Sequence, residues 1–349
     1  MIIDGCKEKY MKMILRLFAV TIFLISTTAE STDSLTLQNG LYNPYPAPQI
    51  EGITYWINSP PLQLNNLKGK VVLIDFWTYS CINCLRTLPF LKDWYNKYHA
   101  SGLVIIGVHA PEFEFEKNIE NVKNAVAKDG IQYPVALDNQ FMTWRNYNNQ
   151  YWPAHYLIDK NGRVVYTHFG EGDYLTTENN IRFLLGMKQP VTTSLPENGE
   201  ESIRQTPETY LGYARSENFS NKQSIVQNKA ALYLFPEEIS EDHWALNGEW
   251  AINSDKIISV QPNVGLKINF NARKVFMVMG STSGQPVKVK VLLNGEPVIN
   301  GKGKDVIDSR VMVSKHTLYE VLDLPHFDSG ILQIIPETPG LEVYTFTFG

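Results

Sequence analysis

Two cysteines stand two residues apart in the stretch Asp75-Phe76-Trp77-Thr78-Tyr79-Ser80-Cys81-Ile82-Asn83-Cys84, and Pro89 follows five residues after the second. Thiols at this spacing serve three chemistries: half of a zinc site, a structural disulfide, or a dithiol that exchanges electrons with other disulfides. A zinc site needs a second pair of ligands. Outside the pair the chain has only Cys6, and His99, His109, His155 and His168 are scattered without ligand-pair spacing. A disulfide across three residues closes too small a loop to stabilise much. The surroundings favour redox chemistry. An apolar run ends just before Cys81 and a helical pattern begins there, so the positive end of a helix dipole stabilises a thiolate on Cys81. That thiolate attacks a substrate disulfide, and Cys84, one turn on and on the same face, resolves the mixed disulfide. The zinc and staple readings stay open at this level, with less in their favour.

The elements that position the pair read as α/β. Lys70 to Trp77 is a buried strand, and a helix from Cys81 carries Leu88, Phe90, Leu91, Trp94 and Tyr95 at helical spacing. Leu103 to Val108 is a second buried strand. Residues 115–128 form a helix and Val135-Ala136-Leu137 a short strand. His155 to Asp159 and Val164 to Thr167 flank the hairpin turn Lys160-Asn161-Gly162, and Asn179 to Leu185 closes with a helix. Strands alternating with helices predict a mixed sheet flanked by helices. Residues 188–228 are rich in Pro, Glu, Asn, Ser and Gln and read as a linker, with one ordered piece at Pro207 to Tyr213. Residues 229–349 hold short alternating runs and the hairpin turn Asn294-Gly295, which predict an all-β sandwich, jelly-roll-like in type.

The chain has 349 residues, enough for two domains, and a net charge of −5, which gives no basic footprint for nucleic acid. Lys7, Lys9, Lys12 and Arg16 precede the apolar run Leu17 to Ile25, followed by Ser26-Thr27-Thr28-Ala29. This pattern predicts a signal peptide over residues 1–29, and hence a periplasmic or secreted protein. The apolar core is about nine residues where a spanning helix needs about twenty, so cleavage is favoured over a membrane anchor. Cys6 leaves with that segment. An exported protein with one close cysteine pair uses it rather than relying on it as a staple.

Val71 to Pro89 resembles a thioredoxin-fold active site, and the resemblance extends over residues 45–187. It implies Cys81 as nucleophile, Cys84 as resolving thiol, and a disulfide between them in the oxidised state. It places Asp75 where thioredoxins carry a buried carboxyl that shuttles the proton of Cys84. Pro153, in Trp152-Pro153-Ala154-His155, matches the cis-proline that faces the cysteines. Trp152, Pro153 and Ser80 are thus the implied substrate-binding residues, with an incoming peptide pairing in strand fashion beside the proline. The segment Gly107 to Glu116 resembles the insert of the TlpA/ResA-like branch, exported thioredoxins, and there Glu112 or Glu114 is the acid expected to approach the site. Ser80, Ile82 and Asn83 depart from the common residues around the pair, which leaves the direction of electron flow open.

The run Ser80 to Pro89 and the later Thr206 to Tyr213 resemble the soluble part of DipZ-type proteins, in which a thioredoxin domain precedes a carbohydrate-binding-module-like β domain. This implies a thiol–disulfide oxidoreductase acting on cysteines of exported proteins, as reductant or isomerase. A membrane reductase of the DsbD/CcdA type is expected as a separate chain. No metal or cofactor is expected. Two other functions compete. Thr78-x-x-Cys81 is similar to the T-x-x-C of peroxiredoxins, which implies a thiol peroxidase. Trp244, Trp250, Tyr233, Tyr319 and Tyr344 are aromatics of the kind that stack on sugars, which implies a glycan- or protein-binding role for the β domain, although such residues at strand spacing usually form core.

Overall fold

The computed structural model describes residues 35–191 and 204–349. The predicted signal peptide, Cys6 and the middle of the predicted linker lie outside the described residues. Among the described residues no helix is long and apolar enough to cross a membrane.

The first sheet contains β1 (Tyr45–Pro46), β2 (Tyr55–Ile57), β3 (Val71–Trp77), β4 (Leu103–His109), β5 (Val135–Leu137), β6 (Ala154–Ile158) and β7 (Arg163–Phe169), in the order β1-β7-β6-β3-β4-β5-β2. Strand β3 is central, parallel to β4 and antiparallel to β6. All seven of its residues are buried, which is what helices on both faces of a sheet require. Its side chains alternate between two cores. Val71, Leu73 and Trp77 join Trp94 and Tyr133 on one face, while Val72, Ile74 and Phe76 join Tyr147 and Tyr156 on the other. The helices are α1 (Ile82–Tyr98), α2 (Ile119–Lys128), α3 (Met142–Asn146) and α4 (Tyr174–Leu185). The predicted helix at 115–128 is two pieces, a 3-10 turn at Glu114–Lys117 and then α2, because the Asn118 side chain caps the backbone N–H groups of Glu120 and Asn121. The stretch Pro44-Tyr45-Pro46-Ala47-Pro48 contributes β1 at one sheet edge, where a proline costs no ladder bond, and β2 forms the other edge.

The second sheet contains β8 (Thr209–Tyr210), β9 (Ala230–Tyr233), β10 (Trp244–Ile252), β11 (Ile257–Ser259), β12 (Gly265–Ser281), β13 (Val287–Leu293), β14 (Glu296–Pro297), β15 (Arg310–Val313), β16 (Thr317–Pro336) and β17 (Leu341–Phe348). The first half of β12 pairs with β10 and its second half with β17, while β16 follows it along both halves. The register shift between Ala272 and Lys274 bends the strand there. One ten-stranded all-β sheet therefore folds over its own core. Trp244, Trp250 and Tyr233 are 0% exposed, Tyr344 is 2% and Tyr319 is 8%. The five aromatics considered for sugar stacking are core residues, and none offers a face to a glycan.

Candidate active site

Cys81 is the N-cap of α1, with extended backbone, and its sulfur accepts the Cys84 backbone N–H at 3.2 Å. The Cys84 thiol donates to the same sulfur at 2.6 Å. Both cysteines are free thiols, Cys81 partly exposed and Cys84 1% exposed. Burial pushes the Cys84 thiol well up, and the bond to Cys81, the charge of Cys81 and the carboxylate of Asp75 push the same way. The Cys84 backbone N–H and the Cys84 thiol thus both meet on the Cys81 sulfur.

Asp75 lies behind the pair on β3, paired in register with His155 on β6. Its carboxylate is 3.3 Å from His155 Nε2, and both side chains are 1% exposed. In the sequence His155 is one of several scattered histidines. The contact arises from the antiparallel β3–β6 pairing, which no local pattern carries. The peptide bond between Trp152 and Pro153 is cis, and Trp152 is anchored by an indole N–H bond to the Ala110 carbonyl at 3.0 Å. The Thr78 hydroxyl is bonded to His109 Nε2 at 3.3 Å. Among the described residues no group of three or more His, Cys, Asp or Glu side chains has the arrangement to hold a metal ion.

The insert supplies three carboxylates with three fates. Glu114 is 77% exposed and pairs with Lys117, away from the cysteines. Glu112 lines the cleft in front of Cys81, where its Oε1 accepts the Tyr210 hydroxyl and an Arg215 N–H, each at 2.7 Å. Glu116, which nothing in the local sequence singles out, folds back beneath the site and is fully buried. Its Oε1 accepts the Ser80 hydroxyl at 2.6 Å and the Ser80 N–H at 3.3 Å. Its Oε2 accepts the N–H groups of Glu112 at 2.6 Å and Phe113 at 3.0 Å. One carboxylate thus fixes both the residue before the nucleophile and the start of the insert. The E-F-E-F-E spacing shows three acids, and the turn that buries the third is a tertiary result.

Burial pushes Glu116 up from 4.5 to about 7, against the pull of its hydrogen bonds from Ser80. An acid raised on folding keeps its proton in the folded state while the unfolded chain has released it, so stability falls as pH rises between those values. The gap from 4.5 to about 7 corresponds to about 3 kcal/mol. Urea unfolding from pH 4.5 to 8 is expected to show this decline in the wild type and to lose it in Glu116→Gln. Equal slopes in the two proteins would refute the assignment.

The β domain closes the other side of the site. Phe113 and Phe115 from the insert pack with Val278, Leu318 and Tyr344, and the Tyr344 ring centroid lies 5.0 Å from that of Phe113 and 4.9 Å from that of Phe115. Arg86 on the active-site helix donates to the Phe348 carbonyl at 3.3 Å and pairs with Glu171 at 3.1 Å. Strand β8, inside the segment read as linker, pairs with β17 and brings Pro207 and Glu208 to the cleft, opposite Asn83 and Trp152.

Comparison with known proteins agrees with this geometry. Residues 54–183 match the Redoxin family, and residues 206–349 match the family described as Thioredoxin like C-terminal domain. Protein DipZ of Mycobacterium tuberculosis is 39% identical over 313 residues, 87% of this chain, and the chain spans 43% of the length of that protein. The thiol-disulfide oxidoreductase ResA of Bacillus anthracis is 32% identical over 160 residues, which are 44% of this chain and 88% of ResA. The solved thiol-disulfide isomerase of Corynebacterium glutamicum shares 26% identity over 40% of this chain and 96% of its own, with a TM-score of 0.37. With a ResA-like domain carrying a half-exposed cysteine over a buried one, the chain belongs to the thioredoxin-like thiol–disulfide oxidoreductases.

Proposed function

We propose that the protein exchanges its Cys81–Cys84 dithiol with disulfides of exported proteins, as a reductant or isomerase. The observation that carries this is the asymmetry of the pair: one sulfur faces the cleft and accepts two hydrogen bonds, and the other is buried and holds its proton. In the forward step the Cys81 thiolate attacks one sulfur of the substrate disulfide. The substrate S–S bond breaks, a mixed disulfide forms, and the departing substrate thiolate takes a proton. Cys84 then gives up its proton, with Asp75 as the buried group in position to take it, and attacks the Cys81 sulfur. The second substrate thiolate leaves. Two electrons have passed to the substrate, its two thiolates take the proton held by Asp75 and one from solvent, and the protein holds a Cys81–Cys84 disulfide. Trp152 lines the cleft in front of Cys81, and Trp152, the adjoining Pro153 and Ser80, which precedes the nucleophile in the chain, are assigned to peptide binding.

The apolar run before Ser26 supports export, to the periplasm or beyond. Regeneration then requires an outside dithiol, and a membrane reductase of the DsbD/CcdA type supplies that chemistry. The test is a Cys84→Ala protein, in which the first step proceeds and the second cannot. It is expected to accumulate mixed disulfides with exported proteins, released by reductant and identified by mass spectrometry. No trapped partner would remove the exchange reading. The potential of the wild-type pair fixes the direction: about −270 mV marks a reductant and about −120 mV an oxidant.

A further inference from the structure

We propose that the β domain selects the substrate, and that the cleft between the domains takes a narrow, extended segment with a basic residue beside its cysteine. This rests on the exchange reading above and deepens it. The space in front of Cys81 is about 210 Å³, below the about 300–1,000 Å³ typical of small-molecule pockets. A bare thioredoxin face is open to a folded protein surface. Here Pro207, Glu208 and Thr347 stand across from the nucleophile, so a substrate reaches the sulfur only as a thin strand.

Two features of that far wall point to the occupant. Thr347 is 5% exposed, and its hydroxyl has no hydrogen-bond partner within the protein. Buried hydroxyls are ordinarily paired. This one borders the cleft and is placed to bond a passing peptide group. The second feature is charge. Glu112 and Glu208 both line the space, and Arg215 is tied to Glu112 at 2.7 Å. One carboxylate is answered; Glu208, solvent-facing by surface area yet pushed up to about 7 by desolvation and by the neighbouring Glu112, gives the mouth a net negative charge as pH rises above that value, so the comparison of peptides is made at pH 8. A lysine or arginine next to the substrate cysteine is attracted there, and an acidic disulfide such as oxidised glutathione is repelled.

The test uses the full chain, reduced beforehand, in single turnovers against two synthetic peptides. Each holds one disulfide, flanked by lysine in one peptide and by glutamate in the other. The wild type is expected to react about tenfold faster with the lysine peptide, the scale of one favourable and one unfavourable exposed charge pair. Glu208→Lys is expected to reverse that order. Thr347→Val, which removes only the hydroxyl, is expected to slow both peptides about fivefold and leave their ratio unchanged. Equal rates for the two peptides, or a Glu208→Lys ratio equal to that of the wild type, would overturn the proposal. Unchanged rates in Thr347→Val would remove the threonine from it. If the wild type reacts with neither peptide nor with uncharged hydroxyethyl disulfide, the exchange reading itself falls.

Discussion

Cys81→Ser is expected to abolish disulfide exchange, with a loss of at least about a thousandfold, while the protein stays folded. The nucleophile in exchange is the thiolate, and a serine hydroxyl does not ionise in the working range. Cys84 cannot substitute for it. That thiol is 1% exposed, and its burial holds the proton on. Serine occupies nearly the same volume, and at the N-cap it is among the preferred residues, so α1 keeps its first turn. The measurement is reduction of hydroxyethyl disulfide together with the melting temperature. Residual activity within tenfold of wild type would mean that Cys84 or another group attacks. A fall in melting temperature matching the activity loss would instead make the thiol structural. Peroxide consumption by the same variant separates the peroxidase alternative, for which the Thr78 hydroxyl is already engaged with His109.

The largest expected loss of stability is at the domain interface. Tyr344→Ala is expected to cost about 3–5 kcal/mol, the usual range for removing a buried aromatic ring. Its ring is 2% exposed, sits within 5.0 Å of both insert phenylalanines, and lies under the Lys256 ammonium at 5.3 Å. The two sheets have separate cores, so the shared cluster of Phe113, Val278 and Tyr344 is a main reason for them to unfold together. Calorimetry is expected to show one transition in the wild type and two in the variant. A single transition with an unchanged midpoint would show that the interface contributes nothing to cooperativity.

Much of the redox half was legible in the chain. Strand β3, the cysteine-capped helix and the Trp152–Pro153 step are local patterns, and local patterns survive folding when the core agrees with them. What escaped was non-local. His155 meets Asp75 because of strand order, and Glu116 is chosen from three acids by the way the insert turns back. In the β domain, the apolar alternation breaks at Asn271-Ala272-Arg273-Lys274, yet the chain bends there and continues as β12. Above all, nothing near Pro207 or Glu208 shows that these residues come to stand before Cys81. The composition of residues 188–228 reads as a linker, and although Pro207 to Tyr213 stands out in it as an ordered piece, nothing local says what that piece pairs with. Its two-residue pairing with β17 is too short to announce itself.

The stretch from Ala110 to Asn118 answers to two neighbours at once. Glu116 secures the residue before the nucleophile, and Phe113 and Phe115 are seated in the other domain. Over evolutionary time such a segment has little freedom to drift. A change in the phenylalanines that improves packing on Tyr344 also moves the backbone whose N–H groups Glu116 holds, and a change in the redox half is felt at the β sheet. The two domains are therefore expected to be inherited as a pair, with positions 113, 115, 278, 318 and 344 varying in concert, and shuffling either one onto a foreign partner would break the redox centre before it broke the fold.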